Sequence, residues 1–126
     1  MNIFLYGYSC KFYFSLYNEG MTKLDAIQLE RVANLFRAFS EASRLAIVQE
    51  LKAGERSVSD IVDVLPTSQA NVSKQLKMLH DAGVVSRRKE GTQVLYQIAD
   101  PMVFELCRLV CDKLNRDMMK TSRLKF

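Results

Sequence analysis

Residues 66–83 read Pro66-Thr67-Ser68-Gln69-Ala70-Asn71-Val72-Ser73-Lys74-Gln75-Leu76-Lys77-Met78-Leu79-His80-Asp81-Ala82-Gly83. Thr67 or Ser68 can cap a helix here, Val72, Leu76 and Leu79 recur at the spacing of one buried stripe, and Gly83 supplies a stop. Turned at about 100° per residue, the opposite side carries Ala70, Lys74, Lys77 and Asp81, flanked by Asn71 and Ser73. The stretch predicts an amphipathic helix with a small, amide-bearing, cationic outer face. Immediately upstream, Ser57-Val58-Ser59-Asp60 has the capping-box form and opens a short helix through Ile61, Val62 and Leu65, ended by Pro66. Two helices joined by so tight a turn are a helix-turn-helix candidate.

Downstream, residues 84–98 change to extended character. Val84-Val85 and Val94-Leu95-Tyr96 flank Arg87-Arg88-Lys89-Glu90-Gly91-Thr92, with Glu90-Gly91 as the turn, which predicts a hairpin with a basic tip. Asp100-Pro101, an acidic cap before a proline, opens the last helix. That helix carries Met102, Val103, Phe104, Leu106, Cys107, Leu109, Val110, Cys111, Leu114 and Met118, more apolar surface than one stripe needs. Upstream, Val32, Leu35, Phe36 and Phe39 mark a first helix between Leu24 and Phe39. Ser40 can cap a second helix carrying Leu45, Ile47, Val48 and Leu51, with Gly54 as its left-handed terminator. The expected fold is mainly α with a small β-hairpin: a winged helix-turn-helix. The surplus on the last helix calls for a cover, either an isologous homodimer through the first and last helices or residues 1–20 folded over it.

The 126-residue chain is 48% hydrophobic and 25% charged, with 5 Gly and 2 Pro, a composition that excludes a disordered tail and a two-domain enzyme. Residues 1–20 hold aromatic residues in a period-two pattern and read as an atypical N-terminal extension. The winged domain is expected over 21–120, with a basic tail at 121–126. Three unevenly placed cysteines, Cys10, Cys107 and Cys111, fit no disulfide framework and suit a reducing cytoplasm. No run is apolar enough for a membrane span, and the start lacks the features of a secretory leader. The expected location is therefore cytoplasmic.

The formal net charge of +4 is unevenly spread. Residues 66–91 carry Lys74, Lys77, Arg87, Arg88 and Lys89 against Asp81 and Glu90, and a second basic island occupies 113–126. Such islands suggest a polyanion met by a particular surface. Gln69 and Asn71 have the amides to read adenine edges, while Lys74 and Lys77 suit phosphate or guanine. Ser68 and Ser73 complete the groove-facing set, with Arg87, Arg88 and Lys89 on the flanking backbone. The expected partner is double-stranded DNA.

On Leu35-Phe36-Arg37-Ala38-Phe39-Ser40, Arg44-Leu45-Ala46-Ile47, Ser68 to Leu76, Leu79, Ala82-Gly83-Val84-Val85, Arg87-Arg88, Gly91 and Tyr96-Gln97-Ile98-Ala99-Asp100, the sequence resembles the ArsR/SmtB family of small winged-helix repressors. The resemblance spans about 24–118. It implies a homodimer that binds an inverted-repeat operator, one recognition helix per half-site, and that is released by an effector. Arsenic-sensing relatives place cysteines where this chain has Ser57, Ser59 and Val62. Zinc-sensing relatives use a terminal-helix set of which Asp100 is kept while Met102, Lys113 and Arg116 stand at the other places. No metal site is carried over by that comparison.

Cys107 and Cys111 lie one helical turn apart, within reach of one soft metal, metalloid or oxidant, though both also suit plain packing in an apolar stretch. With His80 the only histidine, no His-based triad can be assembled from one chain, and no phosphate loop or paired acids appear, so no enzyme is expected. Two other functions remain open: a winged-helix module docking an acidic protein, and a thiol redox or metal-handling protein.

Overall fold

The computed structural model describes residues 23–117 and 124–126; the expectations for residues 1–20, including Cys10, lie outside the described residues. The chain divides into two compact units, Met1–Glu30 and Arg31–Phe126. Helix α1 (Ala26–Ala38) runs across that division. In the first unit it starts at a reciprocal cap, in which the Gln28 N–H donates to Asp25 Oδ1 at 2.8 Å and the Asp25 N–H donates to Gln28 Oε1 at 2.9 Å.

The second unit continues with α2 (Ala42–Glu50), a single 3-10 turn at Leu51–Ala53, strand β1 (Arg56–Ser57), α3 (Val58–Val64), α4 (Gln69–Asp81), β2 (Val85–Glu90), β3 (Gln93–Ile98) and α5 (Met102–Asp117). Ser57 and Asp60 form the expected capping box at the head of α3. The Ser57 backbone N–H and hydroxyl hold the Asp60 carboxyl below the usual carboxylate range. Ser68, rather than Thr67, caps α4, its Oγ accepting from the Asn71 N–H at 3.2 Å. At the other end the Gly83 N–H donates to His80 O and the Val84 N–H to Leu79 O, a Schellman closure that needs the positive φ of +77° at Gly83.

Three local expectations need correction. Ser40 does not cap α2: its hydroxyl donates to Arg37 O, and Glu41 stands at the cap position without a side-chain bond to it. Gly54 ends the 3-10 turn instead of α2 itself, at φ +121° and ψ −166°, outside the left-handed helical region. The hairpin turn is Gly91-Thr92, because Glu90 already pairs with Gln93. The expected hairpin forms as β2 and β3, and β1 joins it to give an antiparallel sheet of order β1-β3-β2, with Arg56 opposite Tyr96 and Ser57 opposite Leu95.

The core draws one stripe from each element. Ile47 and Val48 of α2, Ile61 of α3, Val72, Leu76 and Leu79 of α4, Val84, Val85 and Tyr96 of the sheet region, and Val103 of α5 are all buried. This packing fixes α3 and α4 against each other and turns the remaining side of α4 outward. Asp100 Oδ1 accepts from the Met102 N–H at 2.9 Å, so Asp100 does act as the cap of α5.

Candidate nucleic-acid interface

Val72, Leu76 and Leu79 are 0% exposed, which orients α4 about its axis. Ser68, Gln69, Ala70, Ser73, Lys74 and Lys77 consequently lie exposed on the other side, and Asn71 is half-buried at the edge. Not all of these groups are idle. The Lys77 ammonium is 2.8 Å from Asp81 Oδ2, one turn on, and it holds the Asp81 carboxyl below its ordinary range. Asn71 Nδ2 donates to Thr67 Oγ1 at 2.8 Å, and Asn71 Oδ1 accepts from Gln75 Nε2 at 3.2 Å. Lys74 enters no ion pair among the described residues.

The wing differs from its expected form. Arg87, Arg88 and Lys89 lie along β2, opposite Tyr96, Leu95 and Val94, and the loop at the tip is uncharged. Side chains alternate along a strand, so Arg87 and Lys89 share one face and Arg88 takes the other. Arg88 is not free there. Its Nε and Nη2 donate to the Glu55 carboxylate at 2.7 and 3.1 Å, and Nη2 also reaches Glu90 at 3.0 Å. The guanidinium hydrogen bonds hold Glu55 below the usual carboxylate range. This bidentate latch crosses the sheet from the segment before β1 to β2 and supplies the counter-charge that a phosphate would otherwise provide.

The latch sets a first prediction. Replacing both carboxylates, in Glu55→Gln/Glu90→Gln, leaves Arg88 with neutral neighbours, so binding to duplexes of any sequence should tighten and the slope of log affinity on log salt should steepen by about 0.9 per protomer, one phosphate contact. Titration at several salt concentrations checks this; an unchanged slope means that Arg88 does not reach DNA.

The sequence reading missed Arg44, which is 4% exposed, and Gln75, which is 2% exposed. Arg44 Nε donates to Ala38 O at 2.7 Å and Nη2 to Arg37 O at 2.9 Å, holding the last carbonyls of α1. Its Nη1 reaches Glu41 Oε2 and Gln75 Oε1, both at 2.8 Å. Gln75 sits on the same helical stripe as Val72, Leu76 and Leu79, and an amide at such a position was the available signal.

Cys107 is buried and Cys111 half-buried on α5, both as free thiols. Burial, and secondarily the neighbouring Cys111, pushes the Cys107 thiol up, away from the thiolate that metals and oxidants require. Among the described residues no group of three or more His, Cys, Asp or Glu side chains is placed to hold a metal. Two thiols alone do not make a closed tetrahedral site. Asp100 is occupied as a cap. Among the described residues no helix is long and apolar enough to cross a membrane.

A helix-turn-helix with an exposed cationic second helix, followed by a wing, defines a winged-helix DNA-binding protein. The sequence pattern of the bacterial regulatory proteins of the arsR family matches residues 42–87, the stretch from α2 through α4 into β2. An HTH-type transcriptional regulator of Methanocaldococcus jannaschii is 40% identical over 82 residues, 64% of this chain and 92% of that one. A probable mercury resistance operon repressor of Streptomyces lividans is 36% identical over 80 residues, 64% of each chain. The homodimeric winged helix-turn-helix DNA-binding domain of an ArsR-family regulator from Mycobacterium bovis, solved in solution, superposes with a TM-score of 0.67 at 29% identity, covering 82% of this chain and 98% of that one. The chain belongs to the arsR family of DNA-binding transcriptional regulators.

Proposed function

We propose that the protein is a homodimeric repressor that sets one α4 into the major groove of each half of an inverted-repeat operator. The observation that carries this reading is the orientation of α4, with its aliphatic stripe fully buried and Ser68, Gln69, Ser73, Lys74 and Lys77 outward. Gln69 and Asn71 read bases, Lys74 and Lys77 engage phosphate or guanine, and Arg87 and Lys89 hold the flanking backbone. Arg88 joins them only when its latch to Glu55 opens. The dimer forms through α1 and α5, on which Val32, Phe36, Leu109, Val110 and Leu114 stand exposed.

Release by a soft, thiol-directed effector is the second part of the reading. The spacing of Cys107 and Cys111 supports it, as does the mercury resistance repressor among the relatives. The half-buried Cys111 is the thiol such an effector meets first. Burial of Cys107 weighs against a closed metal site within one protomer, so additional ligands would have to come from outside this pair. Among the described residues no group of three or more His, Cys, Asp or Glu side chains gathers at these thiols, and the proposed activity is binding.

Selection of duplexes from a random pool, with and without arsenite, persulfide or zinc, tests both parts. An inverted repeat should emerge. Lys74→Ala should then weaken binding to the selected duplex and to unrelated duplexes alike, reducing the salt slope by about 0.9 per protomer. Failure to enrich any sequence, together with binding to acidic proteins, would favour the protein-docking alternative.

A further inference from the structure

Donor and acceptor chemistry dictates the orientation of two side-chain amides on α4. A guanidinium can only donate, so the atom of Gln75 turned to Arg44 Nη1, 2.8 Å away, must be Oε1. Gln75 Nε2 is thereby turned the other way, where it donates to Glu41 Oε1 and to Asn71 Oδ1, each at 3.2 Å. With its oxygen so engaged, Asn71 must direct Nδ2 to the Thr67 hydroxyl oxygen at 2.8 Å. Every step is forced by the one before it. The origin of the chain is a guanidinium held by the Arg37 and Ala38 carbonyls, and none of the described buried side-chain N or O atoms lacks a partner.

We propose that Arg44 and Gln75 are positioning residues for base reading: they fix the Asn71 amide in one of its two flipped orientations, which the Thr67 hydroxyl then accommodates, and so determine which base edge it accepts. Asn71 retains one acceptor lone pair and one N–H beyond those used internally. That remaining pair matches adenine, which presents N7 as acceptor and N6–H as donor in the major groove. A flipped amide would set donor against donor and acceptor against acceptor at the same base. Discrimination at this position is therefore decided in the protein interior, at Arg44, with Gln75 and Asn71 between it and the DNA. The inference rests on the reading that places Asn71 at the groove.

The full-length protein, the duplex it selects from a random pool and all single-base variants of that duplex provide the test. Asn71→Ala should erase a roughly tenfold preference at one base pair of each half-site. Gln75→Met should reduce the same preference to less than about threefold while leaving the other positions and the salt slope unchanged, and Thr67→Val, which leaves the Gln75 donor in place, should retain it. A merely structural role would lower affinity on every duplex equally. If Gln75→Met fails to fold, Gln75→Glu, which keeps an acceptor for Arg44 but has no N–H to donate to Asn71, decides instead. Full preference in the Gln75 variant while Asn71→Ala erases it overturns the positioning role. If Asn71→Ala itself leaves every preference intact, the groove reading of Asn71 fails, and the positioning proposal fails with it.

Discussion

Leu109→Glu is expected to separate the dimer and lower affinity for an inverted-repeat duplex by roughly 10²–10⁴-fold, the advantage lost when two linked half-site contacts become independent. Leu109 is 59% exposed on α5, so a carboxylate there meets water within the protomer and the fold should survive. In the proposed dimer the same position would be covered together with Val110 and Leu114, which stand exposed in the protomer, and an unpaired charge placed against them is costly. Phe36, 58% exposed on α1, offers an independent route to the same outcome through Phe36→Glu. Sedimentation should show a monomer in both variants, circular dichroism should show unchanged helix content, and binding to an isolated half-site should keep its base preference. A variant that remains dimeric with operator affinity intact would remove α5 from the interface.

Features confined to neighbouring residues were legible in the sequence. The Ser57–Asp60 capping box, the Ser68 cap, the Gly83 stop and the Asp100 cap each depend on groups within about one turn, and α4 was oriented correctly from Val72, Leu76 and Leu79 alone. Long-range pairings were not. Arg88 finds Glu55 across 33 residues, so a strand reading of β2 counted as a free cation a group that the sheet neutralises. Strand β1 has only two residues, too few for alternation to show, and exists because β3 offers Tyr96 and Leu95 as partners. Gln75 reaches Arg44 across 31 residues, and from the helix alone it was a polar interruption in an apolar stripe. Asn71 was read as an open amide, although its internal bonds to Thr67 and Gln75 leave it half its hydrogen-bonding capacity. Ser40 illustrates a local failure, since its hydroxyl satisfies a carbonyl at the end of α1 instead of an N–H at the start of α2.

The same network sets the largest expected loss of stability from a polar substitution. Arg44→Met preserves much of the side-chain volume but leaves Ala38 O and Gln75 Oε1 without their donor, while Arg37 O keeps the Ser40 N–H and hydroxyl. A buried acceptor left unsatisfied costs about 1–3 kcal/mol, whereas one that water can reach costs less. Glu41, whose side chain is 49% exposed, can exchange its lost partner for solvent, so its contribution is small. The expected total is about 3 kcal/mol by urea unfolding, a large share of the stability of a domain of this size. Gln75→Leu removes the other partner and leaves Arg44 Nη1 with Glu41 and the weak Met78 sulfur acceptor at 3.5 Å. In Arg44→Met/Gln75→Leu both ends are gone and the two apolar side chains can pack against each other, so the double variant should be more stable than the sum of the single losses by at least about 1 kcal/mol. Additivity within about 0.5 kcal/mol would instead show that the two residues stabilise the fold independently. The double variant also separates stability from reading: even with part of its stability recovered it lacks the donor that orients Asn71, and its preference at the corresponding base pair should remain lost.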